Sequence, residues 1–341
     1  MDSLTQALLG AAVQGSLLGK AQGRKALIYG AALGTLPDLD VLINYGDAVA
    51  QMTYHRGFSH SIFVFSALAV LLTWLIRRFK PHPDYSFTRL LTTIWLILFT
   101  HVFIDACTTY GTQLFWPIPW APLNFSNIFV IDPAYTLPML IGVLLAAIAG
   151  FKRWGLAALN LGLGLSTLYM ASTFVSQSLM RQTIEHELAA QKVQVDQLLL
   201  MPTPFNTLAW RVLVRDGERY HEGVRSWLDR EPLKLYSRPL GLELRAALDD
   251  SPQHARLRWF AQDWLSYREE NGQLVVTDLR LGLLGAHSFR FVMAERGPDN
   301  AWVLKGWVDK LPANMGTAQT RQLLIDKVLG KDVDLAKLNL P

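Results

Sequence analysis

Four apolar runs, Ser61 to Ile76, Leu90 to Tyr110, Ala134 to Gly150 and Gly155 to Val175, approach the length a helix needs to cross a membrane. That length is about 20 residues for a hydrocarbon core of about 30 Å. Several such runs leave a chain few folds, because in lipid each segment must satisfy its own backbone polar groups, and a bundle of helices does so. Two earlier runs, Leu4 to Gly19 and Ala26 to Asn44, are weaker and rich in Gly and Ala. They suit close helix packing or a buried, partly re-entrant pair. The expected total is about six membrane segments.

The charges lie elsewhere. Only 18% of residues are charged against 51% hydrophobic, and most charges follow about Ser176, so two regions with different solvents are expected. The predicted architecture is an α-helical membrane bundle over residues 1–178, a helical linker over 179–204, and a small α+β soluble domain with an antiparallel sheet over 205–341. A net charge of +4 is no nucleic-acid signature here, because the basic residues of the first half flank apolar runs. Lys20, Arg24, Lys25, Arg77, Arg78, Lys80, Arg89, Lys152 and Arg153 then fall on one side, which should be cytoplasmic. The opposite face and the C-terminal domain are predicted to be periplasmic. Met1-Asp2-Ser3 lacks a basic n-region, so no cleaved signal peptide is expected.

Beyond the spans, Gln182 to Leu200 reads as a charged helix broken at Met201-Pro202-Thr203-Pro204. Alternating runs at Trp210 to Val214, Gln273 to Leu279, Phe289 to Glu295 and Ala301 to Trp307 predict antiparallel strands, with helices around Leu242 to Leu248 and Thr317 to Leu329. His186, His221, His254 and His287 are expected at ordinary surface positions.

The polar residues among the apolar runs carry the chemistry. With Cys107 the single cysteine, a Cys-rich zinc ribbon is excluded and the candidate ligands are histidine and carboxylate. Asp38 and Asp40 stand in Pro37-Asp38-Leu39-Asp40; His55 and His60 in His55-Arg56-Gly57-Phe58-Ser59-His60; His101 and Asp105 are four apart in one apolar helix. That last spacing stacks two side chains on one face, and neither tolerates bare lipid. Alone, His-x-x-x-Asp is a buried hydrogen-bonded pair and Pro-Asp-x-Asp a solvated turn. Together on one predicted membrane face, Asp38, Asp40, His55, His60, His101 and Asp105 make a ligand set for one or two divalent ions, zinc being the expected metal. Asp40 is a candidate general base, Arg56 a candidate anion binder, and Ser59 a candidate N-cap for the helix that follows. Asp132 is a candidate helix cap ahead of Pro133 or a further ligand.

At these residues the chain resembles the YdjM-type family of inner-membrane proteins, described as LexA-regulated, metal-dependent hydrolases. The resemblance runs from Met1-Asp2-Ser3-Leu4-Thr5 through Pro37-Asp38-Leu39-Asp40, the His55 to Ser61 element, His101 to Asp105, Tyr110-Gly111-Thr112-Gln113 and Asp132-Pro133 to Tyr135-Thr136-Leu137-Pro138. It implies a multi-pass inner-membrane hydrolase linked to a stress response, with the same six residues as functional positions. One departure is visible: some relatives carry histidine after the N-terminal threonine, whereas Thr5 here precedes Gln6, leaving Gln6 to hydrogen-bond a ligand. The expected reaction is attack of metal-activated water on an ester or phosphoester of a membrane-resident or periplasmic substrate. The partners are then the bilayer and a lipid or phosphoester. An ion-coupled transporter and a noncatalytic stress-response protein with a structural metal are the alternatives.

Overall fold

The computed structural model describes residues 1–283, 286–313 and 318–333. Two compact units are present, one of Met1–Ile43, His55–Val175 and Pro204–Asn206, the other of Asn44–Tyr54, Ser176–Thr203 and Thr207–Pro341.

The first unit is helical. Helix α1 (Ser3–Gln22) starts at Asp2, whose carboxylate accepts from Thr5 N at 3.0 Å, and stops at Gly23, which takes a φ of +61°. Helix α2 (Lys25–Thr35) packs tightly along α1: a Cβ on Gly10 would lie 2.1 Å from the Gly30 carbonyl oxygen. Only glycine permits that approach. Pro37 then opens a 3-10 helix, Pro37–Leu42, in place of a continued α-helix. The expected segment from Ala26 to Asn44 therefore contains just 11 residues of α-helix, about 16 Å, which falls short of the hydrocarbon core.

After helix α3 (Ala48–Tyr54, in the second unit) come α4 (Ile62–Phe79), α5 (Phe87–Ala106), α6 (Pro133–Ala149) and α7 (Arg153–Ala190). Helices α4, α5 and α7 are long and apolar enough to cross a membrane, and α6 is a shorter apolar helix of 17 residues. Their outer faces expose Phe63, Val70, Trp74, Ile141, Ile148, Leu161 and Leu168, side chains suited to lipid. The interior packs Leu9, Ala12, Ile97, Ile104, Met139 and Leu159 in one cluster and Leu18, Phe65, Ile94 and Leu98 in another. Ser61 caps α4 by accepting from Phe63 N at 3.3 Å, so the cap expected at Ser59 belongs two residues later.

The second unit holds an antiparallel sheet of β1 (Gln197–Pro202), β2 (Ala209–Asp216), β3 (Arg219–Ser226) and β4 (Tyr236–Pro239) in that order. After the 3-10 helix Leu242–Leu248 and helix α8 (Pro252–Ala261), a second sheet is built from β5 (Leu265–Glu270) and β6 (Gln273–Asp278). The short pair β7 (Gly282–Leu283) and β8 (Ala286–His287) follows, then β9 (Arg290–Arg296) and β10 (Trp302–Lys310), giving the order β10-β9-β6-β5. Helix α9 (Ala318–Val328) comes last; the expected start at Thr317 lies outside the described residues.

Helix α7 takes in the charged stretch after Gln182 and ends at Ala190, with Lys192 at a φ of +57°, and residues 197–202 pair as strand β1 instead of extending the helix to Leu200. The burial of Leu200 with Trp210, Val212 and Val214 favours the strand there. Two of the four C-terminal histidines, His254 and His287, are buried rather than on the surface.

Candidate metal centre

Three elements bring the donors together. The 3-10 helix at Pro37 supplies Asp38 and Asp40, the loop and short turn before α4 supply His55 and His60, and α5 supplies His101 and Asp105. Asp38, His60, His101 and Asp105 each direct one ligand atom into a space where all four atoms lie within 4.8 Å of one another. His60, His101 and Asp105 are buried, while the Asp38 side chain is 21% exposed and marks the open side.

Proton placement follows from the neighbours. His101 Nδ1 lies 2.6 Å from the Gly34 carbonyl oxygen, which only accepts, so Nδ1 carries the hydrogen. The Ser59 hydroxyl donates to Asp40 Oδ2 at 2.5 Å and accepts from His60 Nδ1 at 2.8 Å. Both rings turn Nε2 toward the same space, and those two atoms are 3.3 Å apart. Asp105 Oδ2 stands 3.0 Å from His60 Nε2 and 3.6 Å from His101 Nε2, and Asp38 Oδ1 is 3.5 Å from each. The two Nε2 atoms and the two carboxylate oxygens converge on one space, with His60 Nε2 in hydrogen-bonding contact with Asp105 Oδ2 at 3.0 Å. Asp38 Oδ1 is buried without a hydrogen-bond partner.

A cation at this point would satisfy all four atoms at once. Ligand atoms around a four-coordinate ion with bonds of about 2.0–2.1 Å are about 3.4 Å apart; here the His–His and the four His–Asp separations run from 3.0 to 3.6 Å, and all four atoms lie within 4.8 Å of one another. The residues present therefore fit a metal ion. Each ring's outward nitrogen is already tied to a carbonyl or to a Ser-Asp relay, as metal-bound histidines require.

The remaining polar groups surround this set. Asp105 Oδ1 accepts from Gln6 Nε2 at 3.0 Å, from Arg56 Nη2 at 3.1 Å and from the Met1 amino group, which leaves Oδ2 free to face the cluster. Gln6 thus occupies the neighbourhood expected for the residue after Thr5. Asp40 accepts from His55 Nδ1 at 2.8 Å, from Arg56 N at 3.1 Å and from Ser59, so it organises the loop one step outside the four donor atoms. His55 lies with it, its ring 5.8 Å from that of Tyr110. Arg56, at a φ of +61°, is buried, donates to Thr108 Oγ1 at 3.2 Å and lies 5.1 Å from the centre of the Tyr110 ring. Asp132 caps α6 by accepting from Ala134 N at 2.9 Å and from the Tyr169 hydroxyl at 2.9 Å. Cys107 is packed in the apolar core.

Sequence reasoning had no way to find the Gly34 carbonyl, since a backbone acceptor carries no side-chain signal. The small residues Gly10, Gly30 and Gly34, which draw α1 and α2 together, were its indirect trace.

A bundle with membrane-length apolar helices and a buried cluster of histidine and aspartate able to hold a metal ion defines a helical membrane protein with a candidate metal centre. The chain belongs to the YdjM inner membrane protein family, whose match spans residues 1–180 and so includes the whole cluster. It is 25% identical over 232 residues to the uncharacterized protein YfhP of Bacillus subtilis, covering 65% of this chain and 68% of that one. It is 32% identical over 106 residues to the inner membrane protein YbcI of Escherichia coli, covering 30% of this chain and 57% of that one. No solved structure matches it.

Proposed function

We propose that this protein is a membrane-bound, metal-dependent hydrolase acting on an ester or phosphoester of a membrane-resident or periplasmic substrate. The observation that carries the reading is the convergence of ligand atoms from His60, His101, Asp38 and Asp105, with the partly exposed Asp38 at the mouth. In this reading a single ion is held by His60, His101 and Asp105, with the fourth position left to water beside Asp38, and zinc suits two imidazoles and a carboxylate at this spacing. Such an ion supplies activation of water, lowering its pKa toward about 7, and polarises the oxygen of the group under attack.

The chain's own residues do the rest. Gln6 and Arg56 fix the Asp105 carboxylate by its outer oxygen. Ser59 and Gly34 orient the two rings. Asp38, at the exposed side with Oδ1 free of donors, accepts the proton of the attacking water, the role that the fully occupied oxygens of Asp40 leave open. Arg56 keeps its buried Nε without a partner and offers it to an anionic group of the substrate. The site is taken to open on the periplasmic side, opposite the Lys and Arg clusters that flank the helices.

The test is metal analysis of detergent-purified protein, followed by a lipid and phosphoester hydrolysis screen that compares wild type with His60→Ala. Bound metal in the wild type, and both metal and turnover lost in the variant, support the reading. Metal-free wild-type protein overturns it. A tightly held ion without turnover on any screened ester favours a structural centre in which Asp38 is the fourth ligand.

A further inference from the structure

The second unit contains a polar cleft that the metal centre does not use. His287, on β8, is 5% exposed, and neither of its ring nitrogens has a hydrogen-bond partner among the described residues. Buried polar groups are seldom left so, since an unmade hydrogen bond costs more than a made one contributes. The ring lies at a cleft lined by Tyr220, Arg238, Arg268, Glu270 and Arg290. Strand register explains the grouping: Arg238 stands opposite Tyr220 in the β3–β4 pair, and Arg268 and Glu270 are two apart on one face of β5.

Charge is unbalanced there. Glu270 pairs with Arg290, while Arg238 and Arg268 have no carboxylate partner among the described residues. Arg211 is bound to Glu222 at 2.6 Å and Arg280 to Asp278 at 2.7 Å, so those carboxylates are already committed. Three guanidinium groups against one carboxylate, closing on an unpaired buried imidazole, make a receptor for an oxyanion. The cleft has room for about 20 Å³, enough to seat one oxygen-sized group.

We propose that this cleft binds a phosphate or phosphomonoester group, one oxygen reaching His287 while Arg238 and Arg268 hold the others. Guanidinium forks match phosphate oxygens two at a time, and a tetrahedral anion uses donors arriving from several strands at once. The site is independent of the metal centre. Its residues lie on β3, β4, β5, β8 and β9, all in the second unit.

Equilibrium dialysis of radiolabelled inorganic phosphate against the full-length protein in detergent, with chelator present, tests this. Saturable binding is expected, weakened at least tenfold in Arg268→Gln, lost in Arg238→Gln/Arg268→Gln, and unchanged in His60→Ala. Arg268→Lys, which keeps the charge and loses the fork, is expected to fall between. A short-chain soluble phosphatidic acid serves as competitor: tighter displacement than by phosphate assigns a lipid headgroup, and weaker displacement a free phosphate, either of which supports the site. No saturable binding, or full binding in the well-folded double variant, overturns it.

Discussion

His60 and His101 face each other through their Nε2 atoms at 3.3 Å. A cation near both would hold the two nitrogens at that separation. Alanine at either position is expected to abolish stoichiometric metal. Chelation should lower the thermal midpoint of the wild type and leave His60→Ala unmoved, because only the wild type gains from an ion that binds the folded state. Inductively coupled plasma analysis and thermal unfolding in detergent check both outcomes.

Asp40 sits one step outside the donor atoms, holding His55, Ser59 and the Arg56 backbone. Asp40→Asn keeps a similar shape but weakens the relay that orients His60. Metal affinity is expected to fall by about 10- to 100-fold while the protein still folds. Titration with a competing chelator measures it, and an affinity equal to wild type would show that the relay is idle.

Gly10 and Gly30 place two backbones in direct contact. A Val at Gly10 puts carbon where the Gly30 carbonyl oxygen stands, forcing α1 from α2 and carrying Gln6 away from Asp105. A loss of at least about 3 kcal/mol is expected, with a sharp fall in folded yield. Gly164→Ala, at a position open to a Cβ, is the matched control and should fold like wild type.

Burial first, then the charge of Arg211, pushes His287 down to about 4; Arg238 acts in the same direction, and Glu222 and Asp278 oppose them. The unfolded chain takes up a proton near pH 6.5 that the folded ring refuses until about 4. The stabilising preference for the neutral ring is therefore complete above pH 6.5 and declines as pH falls toward 4, by up to about 3 kcal/mol. Hydrogen exchange of β9 amides, corrected for intrinsic rates, should show faster opening at pH 5 than at pH 7. His287→Gln should flatten that difference.

Much of the metal centre was legible before folding was considered. A histidine and an aspartate inside the α5 run, together with Pro37-Asp38-Leu39-Asp40 and the His55 to His60 element, needed polar company in an apolar setting, and that need is a property of residue chemistry alone. Apolar runs of membrane length in α4, in α5 and within α7 were equally plain, because the width of a bilayer sets the number of apolar residues a crossing needs. The strands of the second unit showed through their alternation at Trp210, Gln273 and Phe289.

Only the tertiary structure decided which donors meet. Asp38 and Asp40 are equivalent in the sequence, yet the 3-10 turn directs one at the two imidazoles and gives the other to Ser59 and His55. The weak, glycine-rich run and Pro37 already suited a broken, partly re-entrant segment, but the 11-residue length of α2 and the 3-10 turn after it came only with the backbone. His287 carried no local sign of burial either, since its enclosure is made by strands from distant parts of the chain. Composition and period determine which groups must leave water or lipid, whereas their partners depend on contacts between residues far apart in sequence.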